Sequence, residues 1–161
     1  MPEDKRFDMV RNLFYRPRDH HHDHQHDYVD DFDKKVNDEL WEKYHYQSTQ
    51  SQGFDIVDYP FDGCGIITPM FNNTCPVNAK TYHMLSDCSR MAVDAYNQRE
   101  GTDYTVNRVT KVCAQLVAAG MMYFITFEAI NSSHHHNVFQ AKVYAPPMMG
   151  AKEVVLVRPK A

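Results

Sequence analysis

Histidine is the residue type this chain concentrates most. Positions 20, 21, 22, 24 and 26 are all histidine, interspersed with Asp19, Asp23 and Asp27, and imidazole is a common ligand of zinc, copper and nickel ions. The spacing does not define a closed four-ligand site. The stretch reads as a solvated polar tail, with metal binding by this arm as the alternative. His134, His135 and His136 form a second run. Neighbours in an extended segment point to opposite faces, so these three cannot converge on one ion, and they read as a solvated hairpin loop. The cysteines, Cys64, Cys75, Cys88 and Cys113, include no Cys-x-x-Cys pair. A thiol nucleophile would require Cys64 or Cys75 to meet His83 and a further group to orient the base; the sequence indicates no such group, so buried or inert thiols are the reading. Glycine-rich phosphate loops and Ser-His-Asp patterns are absent. The sequence therefore assigns no catalytic residue, no metal site and no cofactor.

Composition narrows the class further. The chain has 161 residues, a 43% hydrophobic fraction and a formal charge of -4, which gives no reason to expect a nucleic-acid partner. No apolar run approaches the roughly 20 residues of a membrane span. The first residues lack the apolar stretch of a secretory signal, so a cytoplasmic location is the expectation, a nuclear one is possible, and reduced thiols follow. Residues 1–50 carry the histidine stretch and an acidic run, with too few apolar groups to offset ordering entropy up to about residue 33. Residues 51–161 hold the folded domain, with a core from about Gly53 onward.

The elements that must position any functional residue are legible from pattern. Val36, Leu40, Trp41 and Tyr44 recur at helical intervals within 34–47, predicting a short amphipathic helix whose face packs on the domain or on a partner. From Gly53 to Pro69 the prolines and glycines predict an extended entry segment or edge strand. Asn78–Gln98 is the main helix, ended near Gly101, with Tyr82, Leu85, Ser89, Ala92 and Tyr96 on one face and Cys88 and Met91 beside it. Strands follow at 104–117, at 121–130, at 138–145, where Pro146 and Pro147 stop the ladder, and from Glu153. One long helix followed by antiparallel strands with short turns is an α+β roll, a four- to five-stranded sheet wrapped around the helix.

The residues also resemble a family. Ser89 to Asn97 is similar to the plant cystatin helix signature, matching it at Arg90, Ala92, Val93, Asp94 and Asn97. Arg108-Val109 and Gln115-Leu116-Val117 keep the plant cystatin spacing between an Arg-Val-Val strand and the Gln-x-Val-x-Gly loop. Met121 to Ala129 and Phe139 to Tyr144 are similar to the next two strands, and Pro147 to Glu153 to the Pro-Trp tip and the start of the last strand. The resemblance covers about 53–158, and it extends to the cystatin-related proteins of crucifer plants.

What the resemblance implies is a cystatin-like fold and reversible, competitive inhibition of papain-like cysteine proteases of the C1 type. In the family a glycine-containing trunk and two hairpin loops form a wedge that fills the protease cleft. Carried over, the trunk is Gly63 to Ile66 with Gly63 and Gly65. The first loop is Gln115, Leu116, Val117, Ala118, Ala119 and Gly120, and the second is Pro147 and Met148. The chain departs from the pattern in three places. The first loop has one residue more, Met148 stands where tryptophan is expected, and Cys64 separates the trunk glycines. These departures keep open a non-inhibitory cystatin-fold interaction module, holding another protein at the Trp41 helix or at an edge of Met121, Met122, Met148 and Met149. Metal binding by the arm is a third reading.

Overall fold

The computed structural model describes residues 26–61 and 63–161. The expectations for residues 1–25, an unordered arm with or without metal affinity, lie outside the described residues. The elements are α1 (His26–Ser51), β1 (Thr68–Phe71), α2 (Ala79–Glu100), β2 (Thr105–Val117), β3 (Gly120–Ile130), β4 (His136–Ala145) and β5 (Glu153–Pro159). The strands form one antiparallel sheet in the order β1-β2-β3-β4-β5. This is the α+β roll expected, with β1 as its fifth strand. Pro69, which cannot donate to a ladder, sits on that edge strand, where a missing N–H is tolerated.

α2 is fixed at both ends by local chemistry. The Asn78 side chain accepts the Thr81 N–H at the N-terminus, and Gly101, left-handed at φ 68°, donates back to the Asn97 carbonyl at the other end. Its buried residues are Leu85, Ser86, Cys88, Ser89, Ala92 and Val93. Met91, expected beside this face, is 39% exposed instead, and Val93 takes its place inside. Small residues at 88, 89 and 92 let the helix seat closely on the sheet, and the buried Ser89 hydroxyl is satisfied by donating to the Leu85 carbonyl at 2.9 Å. Across from it Phe127 and Phe139 stack with centroids 5.6 Å apart. Burying each such ring contributes about 1.5–3 kcal/mol.

The sheet has a second apolar layer on its other face. Strand alternation turns Cys113, Met122 and Phe124 away from α2, and Tyr44, Phe54, Ile56 and Ile67 cover them. Phe54 meets Phe124 edge-on with centroids 5.6 Å apart. The extended segment 53–67 thus crosses the outer face of the sheet, held down by α1. Gln47 Oε1 accepts the Val57 N–H at 2.7 Å and the Asp58 N–H at 3.1 Å, and Asn37 Oδ1 accepts the Phe61 N–H at 2.9 Å. Of the two alternatives for the Trp41 face, the domain is what it packs against. α1 is longer than 34–47 and takes in residues 26–33, which composition assigned to the unordered arm. Once the Trp41–Tyr44 seam is anchored, each further helical residue adds a backbone hydrogen bond without a new nucleation cost.

Candidate functional site

Topology gathers the candidate residues at one edge. β2 ends and β3 begins across Val117 and Gly120. β4 ends at Ala145 and β5 begins at Glu153, so the second connection leaves from the same end. β1 runs antiparallel to β2 with Thr68 opposite Ala114, which brings the chain before Thr68 to that end too. The trunk, the first loop and the second loop therefore stand in a row.

The trunk is attached to β2 through Gln115. This residue lies on the outer face opposite Met122, and its Nε2 donates to the Gly65 carbonyl at 2.8 Å. Gly65 has φ 68° and nothing near the position of a Cβ, so the backbone conformation, rather than space, calls for glycine. Cys64 beside it is exposed and Gly63 is half-buried.

The first loop absorbs its extra residue in a tight turn. Val117 pairs with Gly120, leaving Ala118 and Ala119 as the two central residues at φ 48° and 62°. Two positive φ values are the mark of a type I′ hairpin, which suits Asn-Gly far better than Ala-Ala, and the left-handed conformation costs an alanine about 1–2 kcal/mol. Gly120 is required sterically, since a Cβ there would sit 2.5 Å from the Ala145 carbonyl oxygen. Tyr144 steadies the tip by donating its hydroxyl to the Val117 carbonyl at 3.3 Å, and Leu116 is 59% exposed.

The second loop repeats the pattern. Gly150 N–H reaches the Pro147 carbonyl at 3.4 Å, and Met148 and Met149 between them have φ 58° and 59°. Both methionine side chains are fully exposed. Met121 packs against the helix-side core and Met122 against the outer layer, so the four-methionine edge reduces to the tip pair alone. Segments 115–120 and 146–150 contain no ionisable side chain, so burying these tips against a partner would desolvate no charge.

Sequence reasoning named Met149 in a methionine edge and Tyr44 on a helix face, but it did not assign Met149 to the second loop, Tyr44 to the trunk, or Tyr144 to the first loop. Two residues between Pro147 and Gly150 already fit a two-residue hairpin, which would have assigned Met149. Tyr144 shares a face with Lys142 by alternation, but its reach to another hairpin has no sequence signal, and neither does the contact of Tyr44 with Ile67, 23 positions away.

Reactive groups do not assemble here. All four cysteines are free, Cys88 and Cys113 buried. Burial raises both thiols above the usual range, partly offset by Lys152 near Cys88 and by the Ile56 backbone near Cys113. A neutral thiol is a poor nucleophile. His134 and His135 lie in the β3–β4 connection while His136, expected in the loop, opens β4 opposite Ile130; all three are exposed, at the other end of the sheet from the loops. Among the described residues, no group of three or more His, Cys, Asp or Glu side chains could hold a metal ion.

The protein family described as the cystatin domain matches residues 74–156. The chain belongs to the cystatin family. A relative, Cysteine proteinase inhibitor A of Helianthus annuus, is 32% identical over 75 residues, which span 47% of this chain and 89% of that protein. The cystatin match includes α2, both hairpin loops and most of β5. It leaves α1, the trunk and β1 outside the matched range.

Proposed function

We propose that this cystatin is a reversible, competitive inhibitor of papain-like cysteine proteases. Inhibition of a cysteine protease, as opposed to an enzymatic activity, is supported by the family and by the name of the sunflower relative. The wedge reading is supported by one arrangement: trunk residues 63–66, the tip 117–120 and the tip 147–150 share a single uncharged edge. Apolar side chains project from it, and no charge has to be stripped of water when it is buried. The tips resist cleavage for a conformational reason. Residues held at positive φ cannot take the extended form that aligns a peptide carbonyl for attack.

The test is a titration of papain with the full chain, repeated with Gly120→Arg and with residues 115–120 deleted. Sub-micromolar competitive inhibition by the unaltered chain, lost in both variants, is the expected outcome. Inhibition that survives removal of the loop would sink the wedge. The Met148–Met149 tip favours a second reading, a cystatin-fold module binding a different protein, because flexible thioethers suit adaptable surfaces better than the rigid anchor they replace. Under that reading the unaltered chain leaves papain fully active.

A further inference from the structure

The trunk of this cystatin is not a free N-terminal strand. On its near side Phe61 N–H is held by Asn37 Oδ1 at 2.9 Å, and on its far side Ile67 N–H is held by the Tyr44 hydroxyl at 2.9 Å. Between them Gln115 holds the Gly65 carbonyl at 2.8 Å. Two of these three attachments come from α1, a helix outside the cystatin match. Tyr44 is only 7% exposed, and its ring is wedged against Trp41 with centroids 5.9 Å apart. Gln47, one turn further on, takes the Val57 and Asp58 N–H groups and so fixes the chain leading into the trunk. A glycine-containing segment left free would surrender its backbone freedom on entering a cleft, while one already ordered does not.

We propose that α1 is a positioning element for inhibition, in which Tyr44, Gln47 and Asn37 hold the trunk in its binding conformation. The proposal rests on the inhibitor reading above. It assigns a share of the affinity to a helix outside the edge, acting through the trunk it holds. Tyr44 is its central residue, because its hydroxyl holds the Ile67 N–H at the end of the trunk that enters β1.

Full-length Tyr44→Phe tests this, since the ring and its packing remain and only the hydroxyl goes. Gln47→Ala is the second variant, and Tyr46→Phe, altered at a side chain that is 69% exposed on the same helix, is the control. The measurements are association and dissociation rates with papain, thermal melting, and amide hydrogen exchange at Gly65 and Ile67. Tyr44→Phe is expected to raise Ki by roughly five- to tenfold, the loss of about one hydrogen bond, mainly through faster dissociation. Exchange at Ile67 is expected to accelerate, and the control to match wild type. A merely structural role would lower the melting temperature and leave Ki unchanged, since Ki measured well below melting reads only folded molecules. If wild type inhibits and both Tyr44→Phe and Gln47→Ala inhibit equally well, the brace is overturned and the inhibitor reading stands. If wild type does not inhibit papain, the inhibitor reading falls and takes the brace with it.

Discussion

At the scale of single residues, the two hairpin tips trade stability for an exposed surface. Ala118, Ala119, Met148 and Met149 all occupy left-handed backbone that glycine or asparagine would adopt with less strain, and strain of this kind collects at functional sites. Replacing the second tip by Met148→Asn with Met149→Gly should therefore stabilise the fold by about 1 kcal/mol, after allowing for the added freedom of glycine in the unfolded chain. The same change removes the two fully exposed methionine side chains of that tip, so papain inhibition should weaken at least tenfold. Thermal melting and a Ki on one preparation read both signs. A gain in affinity would mean that the methionines do not face the protease. Thr126 is a separate case: it is buried, and its hydroxyl has no hydrogen-bond partner among the described residues. Valine has nearly the same shape without the group that needs a partner. Thr126→Val should raise stability by about 1 kcal/mol in urea denaturation.

Among the elements, the segment 53–67 contributes Phe54, Ile56 and Ile67 to the domain's interior. Phe54 is 1% exposed and packs on Phe124 from the outer face. Phe54→Ala should cost about 3–4 kcal/mol, the range for large rings removed from a core. A cost under about 1 kcal/mol in urea titration would mean that the outer layer is loosely laid on the sheet. How far sequence could anticipate this differs by element. α2 and the strands β2 to β5 announce themselves through period and punctuation, because each buries one face against a neighbour close in sequence. The burial of Val93 in place of Met91 was not legible, since a helical stripe several residues wide leaves its rotation open until the sheet is set. The outer layer was least legible of all. Cys113, Met122 and Phe124 alternate with the helix-facing residues, and a strand apolar on both faces does not say what covers the second one. For the candidate site, the loop residues were legible from their spacing to Arg108. The turn that absorbs the extra alanine was not, because it depends on Ala145 and Tyr144 of another hairpin closing around Gly120.

For the molecule as a whole, two apolar layers on one sheet mean that buried acids lie on both of its faces, and this sets its behaviour in alkali. Cys88 lies on the buried face of α2 and Cys113 under the segment 53–67, and burial raises both thiols above their ordinary range. In the unfolded chain a thiol ionises near about 8.5. Between that value and the higher folded one, the folded state keeps protons that the unfolded state has released, so stability must fall as pH rises. Their contribution is complete below about pH 8 and is lost progressively above it. Lys111 acts with the opposite sign. Burial, and then Lys160, hold its ammonium below the usual range, so its penalty is relieved as pH approaches that of the free side chain. Tyr123, raised by burial, adds to the loss only above about pH 10. Urea midpoints at pH 7 and pH 9.5 should therefore show a lower value at the higher pH. The double variant Cys88→Ala with Cys113→Ala should start from a lower midpoint, because it removes buried sulfur, yet show a flatter pH dependence. Lys111 and Tyr123 are common to both chains, and Cys113 interacts electrostatically with the first and Cys88 with the second, so the difference in slope reads the thiols together with those interactions. Equal slopes would mean that the two layers open to water before the chain unfolds. The segment 53–67 laid over Cys113 would then be less firmly held than its bonds to Tyr44 and Gln115 imply.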